Sequence, residues 1–342
     1  MSTLVLTDPR FMGHDPGPGH VESPARLEAI MGQLGHAPVA DLAIEAPRSA
    51  TDAEIDAVHH PAYRASLARL SGDYAELDPD TSVSPGSWEA ATLAAGAAAG
   101  AVEAVMSGRA DNAFALVRPP GHHARPDRAM GFCLLNNAAI AAEAARRAGA
   151  NRVLIVDWDV HHGNGTQEIF AARDDVLYMS VHQYPFYPGT GAAGEVGVGA
   201  GRGATVNCPL PGEQTDADYG VVFHDLVLPV GRAFAPDLII VSAGFDAHVR
   251  DPLAEMRVTE RGFAAMGSAL RDLAAGSCAG KLVLLLEGGY DLAALATSVH
   301  ASLEVLTGRH EDFPKGAGQA ATDAVRTTRA ALRTAGRTVS QT

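Results

Sequence analysis

The sequence predicts an α/β fold, one domain with a central, mainly parallel sheet and helices on both of its faces. Seven short runs are apolar at successive positions, which is typical of strands buried on both sides. Helical stretches separate these runs, so that the strands run parallel and the connecting helices cover the sheet. The 342 residues contain no internal repeat and no linker that would divide the chain in two.

The predicted strands are short and rich in Val, Ile and Leu. They are TLVL from residue 3, AFALV from 113, RVLIVD from 152, VLYMSV from 176, TVNCPL from 205, DLIIVSAG from 237 and KLVLLLEGG from 281. Helices are predicted over 136–150 and 259–276, the second with Thr259 as its N-cap. Residues 90–105 are rich in Ala and Gly and contain Glu103, which predicts a buried helix packed on the sheet rather than a membrane span.

We expect residues 1–313 to form the catalytic domain and residues 314–342 to form a C-terminal helix with a flexible tail. The stretch AATDAVRTTRAALR indicates one amphipathic helix. It either packs on the body or serves contacts between copies of the chain, which we expect to be a dimer or tetramer.

The composition predicts a folded, acidic protein of the cytoplasm. Hydrophobic residues make up 47% of the chain, and the formal net charge is −14. This charge disfavours nucleic acid as a partner and would attract a cationic substrate. The three cysteines, Cys133, Cys208 and Cys278, are widely spaced, which fits a reduced compartment. Because no charged-then-apolar leader opens the chain, we expect a cytoplasmic location and no membrane partner.

Residues that can take part in catalysis or metal binding follow five of the predicted strands. The segments are RPPGHHA from 118, WDVHHGNG from 158, HQYPFYPGTG from 182, FDAHVRDP from 245 and Tyr290 after the last strand. Because the carboxyl ends of parallel strands open on one rim of a sheet, we expect these side chains to converge there.

Three potential metal ligands alternate along VDWDVHH. On an extended backbone Asp157, Asp159 and His161 share one face, and a buried carboxylate pair needs a cation nearby to stay ionised. A catalytic zinc takes three protein ligands and leaves one position open. Asp159 and His161 supply two, and Asp246, the acid that emerges directly from the strand at 237, is the third; its alternative role is to cap the next segment. Iron and manganese also accept this donor set, so zinc is a preference.

Two adjacent histidines, His122 and His123, lie in a rigid turn at the end of the strand from 113. Asp157 is expected to accept a hydrogen bond from one ring and to fix the orientation of that ring. Asn164 is the candidate partner of the other ring, and its alternative role is that of a turn residue.

Five motifs together resemble those of the zinc-dependent histone deacetylase superfamily, which has an arginase-like α/β fold. They are PPGHHA, GFCLLNNAA, VDWDVHHGNGTQEIF, SAGFDAH followed by DPL, and LEGGYD, in this order, and the resemblance runs from about residue 10 to about 310. With Trp158 and Asn164, the central motif resembles that of the class II branch, which includes bacterial histone deacetylase-like amidohydrolases and acetylpolyamine amidohydrolases.

The resemblance implies a role for each catalytic residue. Zinc would bind Asp159, His161 and Asp246, and the Tyr290 hydroxyl would polarise the substrate carbonyl. His123, held by Asn164, would transfer the proton, while His122, held by Asp157, would orient water.

It also implies a structural potassium ion. This ion would lie near Asp157, Asp159 and His161, and main-chain carbonyls at Ser180 and Val181 would complete its oxygen cage.

A narrow channel for the methylenes of an acyl-lysine follows from the same resemblance. Phe132, with Gly131 beside it, and Tyr187 would form opposite walls; most members have phenylalanine in place of Tyr187. Leu253 lies where members that act on acetyl-lysine carry leucine and polyamine-selective relatives carry glutamate. His20, followed by Glu22, resembles the first loop of the channel rim, although the usual HPE reads HVE here.

These observations predict a zinc-dependent amidohydrolase that removes acetyl or other short acyl groups from acyl-lysine in proteins or peptides. The alternative substrate is an acetylated polyamine. A catalytically silent binding module would have lost a ligand, a histidine or the tyrosine, and all are present. A two-manganese hydrolase of the arginase type is disfavoured because HHGNG supplies no second set of carboxylates.

Overall fold

An eight-stranded parallel sheet forms the centre of the protein, seen in a computed structural model that describes residues 2–337. The strands are β1 (Thr3–Leu6), β2 (Leu42–Glu45), β3 (Ala75–Asp78), β4 (Thr81–Val83), β5 (Asn112–Ala115), β6 (Val153–Asp157), β7 (Val176–Gln183), β8 (Thr205–Leu210), β9 (Leu238–Ala243) and β10 (Leu282–Leu286). Their order in the large sheet is β2-β1-β5-β10-β9-β6-β7-β8, and β3 and β4 form a separate antiparallel hairpin.

The helices connect and cover these strands. They are α1 (Ala25–His36), α2 (Asp52–Asp56), α3 (Pro61–Ala68), α4 (Ser87–Met106), α5 (Asn137–Arg147), α6 (Asn164–Phe170), α7 (Asp216–Val222), α8 (Leu228–Phe234), α9 (Glu260–Ser277), α10 (Leu292–Leu306) and α11 (Gln319–Thr334). Every residue of β5, β6, β7, β9 and β10 is buried, which requires cover on both faces of the sheet. The predicted single-domain α/β fold is confirmed.

All seven predicted strands are present, and three further strands, β2, β3 and β4, were not predicted from the sequence. Strand β2 lies at the edge of the sheet and is largely exposed, with Ile44 51% exposed. The hairpin of β3 and β4 is also only partly buried. Strands of this kind lack the continuous apolar run that marks a strand buried on both faces.

The two helix predictions that carried a structural argument have different outcomes. Helix α4 is long and apolar enough to cross a membrane, yet 78% of its apolar window is buried inside the protein, so it is a core helix as predicted. Helix α9 begins after Thr259, but the Thr259 hydroxyl donates to Asp216 Oδ2 (2.7 Å) and makes no capping hydrogen bond. The packing of α7 beside α9 therefore displaces the expected local cap.

The C-terminal helix α11 packs on the body of the protein. Its buried face contacts α7 and β8, and the Thr328 hydroxyl donates to the Asn207 carbonyl on β8 (2.8 Å). The helix thus covers one edge of the sheet. The division at residue 313 stays a prediction, and the end of the expected tail, residues 338–342, lies outside the described residues.

The sheet order decides where the candidate site forms. Strands β5, β10, β9, β6 and β7 are direct neighbours and parallel, and these are the five strands that are followed by chemically active residues.

Candidate metal centre and active site

The segment that supplies two of the candidate metal ligands leaves the strand before these ligands, so the predicted strand alternation does not extend to them. Strand β6 ends at Asp157, and the next residues form bends. Asp157 Oδ1 accepts from the Asp159 amide (3.2 Å), and Asp159 Oδ1 accepts from the His161 amide (2.9 Å). These side-chain-to-backbone turns, rather than strand alternation, direct the side chains of Asp159 and His161 to one place.

Asp159, His161 and Asp246 converge as predicted. His161 Nδ1 lies 3.2 Å from Asp159 Oδ1 and 3.1 Å from Asp246 Oδ2, and the three side chains offer ligand atoms within 4.8 Å of one another. All three residues are buried. Asp246 reaches the others because β9 pairs directly with β6.

The other carboxylate oxygens are fixed by main-chain donors. Gly288 N donates to Asp159 Oδ2 (2.8 Å), and Val160 N donates to Asp246 Oδ1 (2.9 Å). A Cβ on Gly288 would lie 2.1 Å from Asp246 Oδ2, so only glycine lets the loop after β10 approach this closely.

The electrostatics of this triad fit a cation. Burial raises the pKa of Asp246 to about 7, and the charge of Asp159 adds to the effect. Burial lowers the pKa of His161, but hydrogen bonds to Asp159 and Asp246 outweigh it and raise the pKa to about 10. Two buried carboxylates thus demand positive charge between them, and a divalent ion would supply it together with the imidazole and carboxylate donors that zinc, iron and manganese accept.

A second group of possible ligands contains Glu287, which hydrogen-bonds to neighbouring loops. His122, Cys133 and Glu287 also offer atoms within 4.8 Å of one another. Glu287 Oε2 accepts from the amides of Gly121 (2.6 Å) and His122 (3.1 Å), and Oε1 accepts from the Ser242 hydroxyl (3.0 Å). These hydrogen bonds fix the turn of the histidine pair to the ends of β9 and β10.

Each ring of the histidine pair has the partner that the sequence suggested. His122 Nδ1 lies 3.1 Å from Asp157 Oδ2, and His123 Nδ1 lies 2.8 Å from Asn164 Oδ1. Asn164 Nδ2 donates to Met130 Sδ (3.3 Å), which leaves Oδ1 as the acceptor for the ring. His123 therefore carries its proton on Nδ1, and its Nε2 is free to accept a proton.

The two rings differ in charge preference. Burial lowers the pKa of His122, but the charges of Asp159 and Asp157 outweigh it and raise the pKa to about 10. Burial holds the pKa of His123 well below its usual range, and the neighbouring His122 lowers it further. A neutral imidazole thus lies beside one that favours the charged form.

A cavity of about 240 Å³ opens above these groups. Its lining residues are Asp80, His123, Gly131, Phe132, His161, Phe186, Tyr187, Leu253 and Tyr290. Phe132 faces the Tyr290 ring edge-on at 5.9 Å, and Tyr187 faces His123 edge-on at 5.2 Å. Gly131 has φ 57°, and a Cβ there would lie 2.4 Å from the His123 ring, so this wall requires glycine.

Two lining residues, Phe186 and Asp80, were not predicted from the sequence. Phe186 stacks on His161 with ring centroids 5.6 Å apart, and its position directly before Tyr187 was the available signal. Asp80 lies between β3 and β4, and its Oδ1 accepts from the Gly131 amide (3.1 Å). The sequence carries no sign that this hairpin reaches the cavity.

Of the two predicted rim residues, His20 lies beside the cavity and Glu22 lies in the interior. His20 packs edge-on at 4.8 Å against Phe132, which lines the cavity. Glu22 is fully buried, and its carboxylate accepts from Arg118 (2.6 and 2.7 Å) and Arg26 (3.1 Å). Burial raises the pKa of Glu22, but Arg118 and other charges hold it well below its usual range. Glu22 is thus part of an internal charge cluster rather than of the rim.

Three residues of the expected potassium site, Asp157, Ser180 and Val181, are neighbours in the sheet, whereas Asp159 and His161 follow the end of β6. Asp157 pairs in register with Ser180 on β7, and Val181 follows. Asp157 Oδ2 also accepts from the Tyr178 hydroxyl (2.9 Å). The ion itself stays a prediction.

Comparisons with known proteins agree with this arrangement. A sequence model described as histone deacetylase domain matches residues 20–306. Histone deacetylase 15 of Arabidopsis thaliana is 46% identical over 323 residues, which cover 91% of this chain and 58% of that protein. The histone deacetylase-like amidohydrolase of Pseudomonas aeruginosa is 44% identical over 297 residues, with 85% and 77% covered. The crystal structure of an HDA15 HD domain superposes with a TM-score of 0.92 at 43% identity and covers 97% of this chain and 94% of that one.

Proposed function

The chain belongs to the histone deacetylase family, whose members hydrolyse amides, and from this premise we propose that it is a zinc-dependent deacylase of acyl-lysine in proteins or peptides. The acyl group is acetyl or another short chain. One observation carries the proposal: His161 Nδ1 lies between two buried carboxylates, 3.2 and 3.1 Å away, and His161 also lines the cavity together with His123 and Tyr290.

Asp159, His161 and Asp246 would hold the metal ion. When bound, a zinc ion acts as a Lewis acid that polarises a carbonyl and lowers the pKa of a coordinated water to roughly 7. The three ligands bring two negative charges, which neutralise a divalent ion in a buried site. A structural potassium ion near Asp157, Asp159 and His161, with main-chain carbonyls at Ser180 and Val181, belongs to the same proposal.

The histidine pair would move the protons. His123 has a free Nε2 because its Nδ1 donates to Asn164, so it can take a proton from the attacking water and later give it to the leaving amine. His122 is held through Nδ1 by Asp157, and its Nε2 would orient the water.

Tyr290 would stabilise the negative charge that develops on the substrate carbonyl. It lines the cavity, and its hydroxyl would donate to that oxygen as an oxyanion donor. Phe132 and Tyr187 offer two aromatic walls that match the methylene chain of lysine.

Acetylated polyamines are the second candidate, and Asp80 is the observation in their favour. Its carboxylate lines the cavity, where a second ammonium group could meet it. However, Asp80 Oδ1 already accepts from Gly131 N and from the Thr81 hydroxyl (2.8 Å). Leu253, which lines the same cavity, offers no charge. We therefore favour acyl-lysine.

A competition screen tests the proposal. Zinc-loaded protein would be offered acyl-lysine peptides together with acetylated putrescine, cadaverine and spermidine, with a hydroxamate as the metal-directed inhibitor. We expect the highest kcat/KM on a peptide and full inhibition by the hydroxamate. Activity that persists in saturating hydroxamate would contradict the metal-centred mechanism. A higher kcat/KM on an acetylated polyamine than on any peptide would contradict acyl-lysine as the substrate.

The cellular setting is also a proposal. All three cysteines are buried and free, which fits a reducing compartment such as the cytoplasm. The exposed face of α11 is available for contacts in a homo-oligomer.

A further inference from the structure

One buried carboxylate connects the loop of Tyr290 to the loop that carries Leu253 at the cavity. Asp251 Oδ2 accepts from the Tyr290 amide (2.7 Å) and, more weakly, from the Asp291 amide (3.4 Å). Its Oδ1 accepts from the Leu253 amide (3.0 Å). Asp251 is only 7% exposed and does not line the cavity, whereas Tyr290 and Leu253 both do.

We propose that Asp251 is a positioning residue, which holds the Tyr290 loop and the Leu253 wall at a fixed separation during deacylation. The inference rests on the proposed function, because it concerns the tyrosine of the same site. It assigns to Asp251 no contact with substrate; Asp251 acts through the main chain of Tyr290.

Hydrogen bonds from two sides hold the main chain of the Tyr290 loop, one made by Arg26 and one made by Asp251. Arg26 Nε donates to the Gly289 carbonyl (2.7 Å), and the Arg26 guanidinium lies 5.0 Å from the centre of the Tyr290 ring. Asp251 holds the amide of Tyr290. Gly289 has φ 119°, so this segment gains little rigidity from its own backbone preference.

The hydrogen bonds require a carboxylate at position 251. All three donors are main-chain N–H groups, and a carboxylate presents acceptors on both oxygens. An asparagine has one acceptor and one NH₂ group. In the variant Asp251→Asn, either Leu253 N–H or Tyr290 N–H would therefore face another donor, although the side chain keeps its shape.

Asp218 provides a matched control for this substitution. It is 6% exposed, its Oδ2 accepts from the amide (2.9 Å) and the hydroxyl (2.6 Å) of Thr215, and its Oδ1 accepts from the Gly318 amide (2.6 Å). It joins α7 to the C-terminal segment and lines no part of the cavity. Asp218→Asn thus removes a similar three-donor clamp away from Tyr290.

The first test is a double-mutant cycle on zinc-loaded protein. Its substrate is a trifluoroacetyl-lysine peptide, whose activated amide keeps slow variants measurable. Asp251→Asn should lower kcat about tenfold or more, because it displaces a donor whose complete loss costs roughly 100- to 1,000-fold. In a Tyr290→Phe background the same change should lower kcat less than about threefold, since the hydroxyl it positions is gone. The proposal would be overturned if Asp251→Asn lowered kcat by the same factor in the wild-type and Tyr290→Phe backgrounds. It would also be overturned if Asp218→Asn lowered kcat as much as Asp251→Asn does.

The second test needs neither metal nor activity. Amide hydrogen exchange of the metal-free protein should accelerate in segments 251–254 and 288–293 of Asp251→Asn, and in segments 213–218 and 316–320 of Asp218→Asn. Unchanged exchange at 288–293 would overturn the clamp. If Asp251→Asn does not fold, Asp251→Ala gives the same readouts, because it removes the acceptor without adding a donor. Wild-type protein without turnover on any acyl substrate would count against the proposed function, while the exchange result would still decide the role of Asp251.

Discussion

Removal of the Tyr290 hydroxyl is the sharpest perturbation of the proposed chemistry. Tyr290→Phe takes away one donor and leaves the ring, which is held by Phe132 at 5.9 Å and by the Arg26 guanidinium at 5.0 Å. Burial raises the pKa of Tyr290 well above its usual range, so the hydroxyl stays protonated and able to donate at neutral pH. The change therefore isolates a single hydrogen bond to the substrate carbonyl.

The size of the effect follows from the general cost of losing one oxyanion donor. Loss of one oxyanion donor costs about 3 kcal/mol of transition-state stabilisation. At about 1.36 kcal/mol per tenfold, kcat should fall by roughly 150-fold. Because the carbonyl oxygen gains charge only in the transition state, KM should change by less than about threefold.

Steady-state kinetics on an acyl-lysine peptide, together with the zinc content of each preparation, would measure this effect. Tyr187→Phe makes the same chemical change at another residue that lines the cavity, where Tyr187 is 37% exposed, and should alter KM more than kcat. Tyr290→Phe that retains more than about a third of wild-type kcat with full zinc content would refute the role of the hydroxyl.

Three further outcomes test the metal, the buried charges and the pH response. Chelation, or the variant Asp246→Asn, should abolish turnover and lower the zinc content. Added zinc should restore activity only in the chelated wild type. Activity in zinc-free Asp246→Asn would contradict the proposed ligand set. Glu22→Gln should lower the free energy of unfolding by roughly 3–5 kcal/mol. With an unfolding entropy of about 2.1 cal/mol/K per residue, this corresponds to a decrease in Tm of about 4–7 °C. Glu45→Gln, which breaks the exposed pair with Arg109 (2.8 Å), should cost less than about 1.5 °C in the same thermal melt, and similar losses would refute the burial argument. Burial lowers the pKa of His59 to about 4, so its contribution is complete above the unfolded pKa near 6.5 and is lost as pH falls toward 4. Denaturant melts should therefore show the wild type losing roughly 3 kcal/mol relative to His59→Gln between pH 7 and pH 4; parallel stability curves would exclude His59 as the cause.

Local sequence patterns predicted the strands and the ligand segment. The seven apolar runs correspond to seven strands of the sheet, because burial on both faces selects Val, Ile and Leu regardless of which neighbours a strand has. Asp159 and His161 could be paired from sequence because they are two residues apart. Their convergence nevertheless arises from two side-chain-to-backbone turns beyond the end of β6, which strand alternation does not predict.

Groups that act through long-range hydrogen bonds were not predictable in the same way. Glu22 looked like a rim residue, yet it accepts from Arg118, 96 positions later in the chain. Asp80 reaches the cavity through a hairpin that carries no apolar run. Asp251 was visible only as part of the motif FDAHVRDP, and its contact with Tyr290 spans 39 positions.

The amino-acid sequence by itself determined the fold class, the rim on which chemistry collects and the identity of the metal-ligand candidates. These properties depend on periodicity and on the residues that end each strand, and both are local. The tertiary structure alone decided that β9 lies beside β6, so that Asp246 meets His161 at 3.1 Å, and that β10 brings Gly288 and Tyr290 to the same point. Strand order and loop anchoring depend on contacts between residues far apart in the chain, and no local pattern encodes the distances that such contacts set.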